Sequence, residues 1–189
     1  MANAVSTQAI KIWRRFSAVD LVTLAVFAAL YRALWYVWHA FNFLFPFNQV
    51  INAFFFTLAI TAGMVVVRKV GAGTMLVIAA EAINLFLQGE ALPAAILYLT
   101  IGLLGDLFFY FRVKSGADPF NSFRDVSIAG FLDSSVNSIG DWLFAFPYIF
   151  LAPIAPSVLI ILVPVHIAFG VLGGMAGFWL GNRIKGLIG

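Results

Sequence analysis

Apolar residues run through this chain in six long stretches, and the charged residues fall mostly in the breaks between them. The stretches cover about 19–40, 50–67, 72–87, 92–111, 126–150 and 157–180, each near the ~20 residues that cross a hydrocarbon core as a helix. The fifth is the most diluted, by Asp133, Asn137, Asp141 and Pro147. No repeat, linker or low-complexity segment divides the series. The pattern predicts an all-α membrane protein: a single domain over 1–189, built as a compact bundle of six transmembrane helices. A short lead-in at 1–18 precedes it, in which Lys11, Trp13, Arg14 and Arg15 form an amphipathic start.

Composition supports this. The chain is 63% hydrophobic and 10% charged, where soluble domains average about 45–50% and 25%. With no cysteine, disulfides, thiolate catalysis and cysteine-ligated metals are excluded. The net charge of +3 is no nucleic-acid signal, because its cause is topological. Lys11, Arg14 and Arg15 precede the first stretch, and Arg68 and Lys69 separate the second from the third. Arg112, Lys114 and Arg124 separate the fourth from the fifth, and Arg183 and Lys185 follow the sixth. The other three connections carry neither Lys nor Arg. This alternation predicts both termini in the cytoplasm and a multi-pass location in the cell membrane. No cleaved signal is expected, since no A-x-A-like site follows the first apolar run. Arg32 is the one basic residue inside a span.

Charged groups at membrane depth face a protein interior or cavity rather than lipid. Glu81, Asn84 and Gln88, spaced i, i+3, i+7, share one stripe of the third span. A rise of 1.5 Å per residue puts Glu81, Asn84 and Gln88 at roughly 14, 18 and 24 Å from the cytoplasmic face, and Arg32 and Asp141 at roughly 20 Å. Trp35, Tyr36 and His39 share a broad face with Arg32, farther out. Tyr98 and Trp142 fall at similar outer levels and His166 near mid-membrane. Each has a bland reading: Glu81 as a helix-to-helix hydrogen bond, Arg32 and Asp141 as a structural ion pair, His166 satisfying a carbonyl freed by Pro164. Trp38 and Tyr148 read as interface anchors, and Gly170, Gly173, Gly174 and Gly177 as close helix packing. Taken together, they are better explained by a substrate pocket in the outer half of the bundle. Four acidic residues, Glu81, Asp106, Asp133 and Asp141, face one Arg within the spans, which favours a cationic or donor-rich ligand. Indole and phenol rings offer faces for stacking.

Ala25, Ala29 and Ala33 recur every four residues on the first span, with Ala28 beside them. Such a stripe admits close approach of another helix, either within the bundle or from a partner. A six-span chain of this length with that A-x-x-x-A stripe resembles the substrate-capture (S) components of energy-coupling-factor (ECF) transporters. Arg68-Lys69-Val-Gly-Ala-Gly leading into Glu81, and Gly102-Leu-Leu-Gly105-Asp106, look like the branch assigned to thiamine or its hydroxymethylpyrimidine precursor. The layout matches over the whole chain; the sequence likeness is confined to these patches.

The resemblance implies a bundle that captures a vitamin from outside. It would then dock on a transmembrane coupling subunit with two cytoplasmic ATPases. Ala25, Ala29 and Ala33 would form the docking face. Glu81 would accept from the aminopyrimidine, Asn84 would bond the ring edge, and Trp35 or Trp142 would stack. No G-x-x-x-x-G-K-[ST] loop is present, so ATP hydrolysis would fall to the partners. No cofactor, resident metal or nucleic-acid partner is expected, and no enzymatic activity. The G-x-G-D pattern of intramembrane aspartyl proteases is missing at Asp106 and at Asp141, and no serine sits in a G-x-S-G turn. The alternative is a self-sufficient proton-coupled transporter of a small cation, with Asp106 and Asp133 as proton sites; no inverted repeat supports it.

Overall fold

A computed structural model describes residues 15–40, 47–88, 92–149, 151 and 154–188. The apolar stretches form six α-helices: α1 (Ala18–His39), α2 (Phe47–Val67), α3 (Ala72–Gln88), α4 (Leu92–Lys114), α5 (Phe123–Ile139) and α6 (Pro156–Ile188). The side chains of His39 and Gln88, and the lead-in before Arg15, lie outside the described residues.

Local chemistry sets the helix ends. Ser17 and Asp20 close a reciprocal capping box on α1: Ser17 Oγ accepts from the Asp20 amide at 3.2 Å and Asp20 Oδ2 from the Ser17 amide at 2.7 Å. The tight α2–α3 turn places Arg68 at φ 55° and Gly71 at φ 95°. The second costs glycine nothing, whereas the first is a strained position for arginine. After α4 a short 3-10 turn, Pro119–Asn121, leads to Ser122, whose hydroxyl caps α5 through the Asp125 amide at 3.2 Å.

Four helices are long and apolar enough to cross a membrane on their own: Ala18–Trp38, Phe47–Val67, Leu92–Lys114 and Pro156–Leu187. The third predicted span is apolar but 17 residues long. The fifth departs most from expectation. Its α-helix stops at Ile139 and continues as a π-helical segment, Gly140–Ile149, that contains Pro147. Proline supplies no N–H to the ladder, and wider π turns cluster where a helix carries a functional load. The sixth runs past the predicted Leu180 to Ile188. At 33 residues it is roughly 50 Å long, well beyond a ~30 Å hydrocarbon core.

Helix α2 is the central post, in contact with α1, α3, α5 and α6. Its long contact with α6 depends on glycines, the predicted stripe at 170–177 and Gly181 beyond it. A Cβ at Gly177 would meet the Leu58 carbonyl oxygen at 2.5 Å, and one at Gly181 would meet Val65 Cβ at 2.8 Å. Only bare Cα atoms let these backbones approach so closely. The core around α2 joins Leu24, Phe27 and Tyr31 of α1 to Ile60, Leu76, Phe109, Phe120 and Val126. Val22, Val26, Leu30, Phe86, Leu103, Ile160 and Trp179 are exposed, an apolar jacket suited to lipid rather than water. Ala25, Ala29 and Ala33 lie on that outer surface of α1, whereas Ala28 is buried.

The basic connections meet at one end of the bundle. Lys69 pairs with Asp20, Arg68 with Asp118 at 2.5 Å, and Arg112 with Asp125 at 3.0 Å. Asn121 Oδ1 accepts from Arg68 at 2.8 Å and from Lys185 at 3.4 Å, tying the C-terminal end of α6 to the same rim. The alternation of charge along the chain thus becomes a single charged rim.

Candidate functional site

The stripe on α3 points inward: Glu81 and Asn84 are both buried. Arg32 of α1 reaches across and pairs with Glu81 through Nη2, while its Nε donates to the Ala80 carbonyl at 3.0 Å. The guanidinium is therefore fixed by two bonds to α3. Expectation had set Arg32 against Asp141 on equal depth. The structure pairs Arg32 with Glu81 where α1 packs on α3, a long arginine side chain spanning the difference in height. Tyr31 lies beside this pair, its ring 5.1 Å from the Arg32 guanidinium carbon, and Trp35 packs on the other side at 5.7 Å. Tyr31 is also within electrostatic reach of Asp141 and hydrogen-bonding reach of the Asn52 side chain. A first cluster thus gathers Tyr31, Arg32, Trp35, Glu81, Asp141 and Asn52, with Asn84 one turn along α3.

A second cluster lies between the π segment and α6. His166, 1% exposed, accepts the Trp142 indole N–H at Nδ1 over 3.2 Å and faces the Asn137 amide through Nε2 at 3.0 Å. A ring nitrogen that accepts carries no proton, so Nδ1 is an unprotonated nitrogen of the ring. His166 is held here by side chains and not by a carbonyl freed at Pro164. Trp142 stacks on Phe146, centroids 4.9 Å apart, and packs with Val50 and Leu162. It sits inside the helix packing, not at a membrane boundary. Asp141 precedes Trp142 in sequence and connects the two clusters.

The remaining predicted residues fall at the margins. Tyr36 is exposed and meets Trp35 edge-on at 5.5 Å. Tyr98 is half-buried against the main core. Tyr148 is 76% exposed, as an interface anchor should be. Asp106 belongs to a different part of the fold: it caps the start of α3, accepting from the amides of Gly71, Gly73 and Thr74 and from the Thr74 hydroxyl. Gly102 and Gly105 make room for this arrangement. A Cβ on Gly102 would come within 2.9 Å of Thr74 Cα, and one on Gly105 within 2.9 Å of the Asp133 carboxylate.

Sequence reasoning drew the pocket from every span except the second. In the structure α2 carries a buried Asn48 and places the Asn52 amide beside Tyr31. The available signal was two asparagines spaced i, i+4 in an otherwise apolar helix. Among the described residues no group of three or more His, Cys, Asp or Glu is placed to hold a metal ion.

No curated protein matches the chain in sequence. Among solved structures, one described as the crystal structure of an S-component of an ECF transporter superposes with a TM-score of 0.67. It covers 92% of this chain and 86% of its own length at 18% sequence identity, a likeness of fold. The family model described as "ABC-type cobalt transport system, permease component" matches residues 19–116, just over half of the chain. With its all-helical S-component fold, the chain belongs to this family of transport permease components.

Proposed function

We propose that the chain is the substrate-capture subunit of an ECF-type importer. It would bind a small nitrogenous vitamin, thiamine or its pyrimidine precursor, from the outside and deliver it through a coupling subunit and two ATPases. The observation that carries this reading is the buried Arg32–Glu81 pair, with Tyr31, Trp35, Asn52 and Asp141 around it, inside a fold shared with an S-component. A lone structural ion pair has no need of this surrounding ring of amide, phenol and indole. Two carboxylates against one guanidinium leave the cluster with a negative balance, which suits a cationic or donor-rich ligand. Glu81 would exchange or share its Arg32 bond with the ligand's amino group, Asn84 would bond the ring edge, and Trp35 would stack. Tyr98 would line the outer mouth. His166 and Trp142 would set the shape of the inner wall.

The docking half of the proposal rests on Ala25, Ala29 and Ala33, which face out of the bundle on α1. Ala29→Trp should leave vitamin affinity within about twofold, because the bulk projects away from the cluster, yet abolish ATP-driven uptake in vesicles reconstituted with the energising subunits. Loss of binding along with uptake would make the stripe internal architecture. Uptake that persists without any ATPase would favour the proton-coupled alternative. The same vesicles test orientation: a cysteine at Ser115 should label only from the cytoplasmic side and one at Ala91 only from the outer side. Labelling of both from one side would overturn the six-span topology.

A further inference from the structure

Two asparagine side chains near the Arg32–Glu81 pair have unfilled polar ends. Asn84 Oδ1 is buried with no hydrogen-bond partner among the described residues, and so is Asn52 Oδ1. Buried amide oxygens are almost always bonded, so each one left open calls for an explanation. The two stand on helices that pack against each other. Helices α2 and α3 are antiparallel about the 68–71 turn, and Asn52 and Asn84 stand roughly 22 Å and 18 Å above it, within one helical turn in height. Asn52 reaches the cluster through Tyr31 and Asn84 through Glu81, one turn away. The amide of Asn52 is held at one end, beside the Tyr31 hydroxyl, which leaves its other end aimed and unfilled.

We propose that Asn52 is a ligand-selecting residue that works with Asn84. The two offer a pair of carbonyl acceptors to the N–H bonds of an amino group on a planar ligand, of the aminopyrimidine or amidine class. This rests on the substrate-capture reading and deepens it, because it assigns a contact to the central helix and names the chemical edge that is read. Acceptors on two helices, held apart by the core, select for the spacing of donors on the ligand. A ligand whose amino group is replaced by methyl would leave both oxygens desolvated and unpaired, which is the strongest form of discrimination that neutral groups provide.

The test uses the full-length protein in detergent and a panel of 4-amino-5-hydroxymethyl-2-methylpyrimidine, 4-aminopyrimidine and benzamidine. Each is paired with an analogue in which methyl replaces the amino groups, and affinity is measured by calorimetry. Wild type should prefer the amino compounds at least tenfold, and in Asn52→Leu the preference should fall to within about twofold. An unchanged preference in Asn52→Leu would reduce Asn52 to a support for Tyr31 and overturn the inference, as would failure of wild type to bind any amino-bearing member. Binding of benzamidine without either pyrimidine would remove the vitamin assignment and leave the acceptor pair standing. Should Asn52→Leu not fold, Asn52→Asp keeps the size and the acceptor oxygen; it should then tighten benzamidine about tenfold, and no tightening would overturn the proposal.

Discussion

Arg32→Ala should destabilise the empty protein by about 3–5 kcal/mol, because it removes the guanidinium and leaves Glu81 as a buried carboxylate without its cation. For a chain of this length that corresponds to a fall of roughly 6–20 °C in the thermal midpoint. The two partners are 4% and 5% exposed, so solvent cannot take over the lost role as it does for surface pairs. Arg32→Leu combined with Glu81→Met should recover most of that stability, since apolar groups of similar volume replace a desolvated pair at little net cost. Ligand binding should not recover in the double variant. This separates two roles that a single substitution confuses. If the pair were architecture alone, the double variant would bind as wild type does. If Arg32→Ala melted with the wild type, Glu81 would have to be satisfied elsewhere and the central ion pair would lose its meaning. Thermal unfolding in detergent and calorimetry with thiamine on the same three proteins distinguish these outcomes.

The features legible in sequence were those set by one dimension. Apolar run lengths located six helices, charge placement gathered Lys69, Arg68, Arg112 and Lys185 at one rim, and spacing identified Gly177 as a close-packing position. Depth was legible as well: Arg32 and Glu81 were both placed at membrane depth, and they meet. Partner choice was not. Arg32 engages Glu81, and this depends on the rotation of α1 against α3, which a rise of 1.5 Å per residue does not encode. Asn52 escaped notice for a related reason: amides near one end of the most apolar helix look like dilution until Tyr31 is seen beside Asn52. The change from α to π geometry at Gly140 was visible only as a weak span with a proline.

Asp106→Ala should be almost as damaging as loss of Arg32, although it lies far from the proposed ligand. The carboxylate of α4 accepts from Gly71 N at 2.9 Å, Gly73 N at 3.3 Å, Thr74 N at 2.6 Å and Thr74 Oγ1 at 2.6 Å. Three of those donors are the open amides at the start of α3, where an anion is also favoured by the helix dipole. Each buried donor left unpaired costs about 1–3 kcal/mol, so the total should reach about 3–5 kcal/mol even if water rescues some of them. Asp106→Asn should lose somewhat less, because one acceptor oxygen remains while an NH2 group is turned on donors. Hydrogen exchange should quicken first at Gly71, Gly73 and Thr74, and affinity for the proposed ligand should fall as a consequence, since Glu81 and Asn84 stand on the helix being released. A proton-carrying Asp106 makes the opposite forecast: Asp106→Asn would keep the thermal midpoint and the amide protection of α3 and lose only coupled uptake. The four donors converging on one carboxylate favour the cap. The residue then serves the site from a distance, by holding the foot of α3 so that its buried stripe meets Arg32 in register.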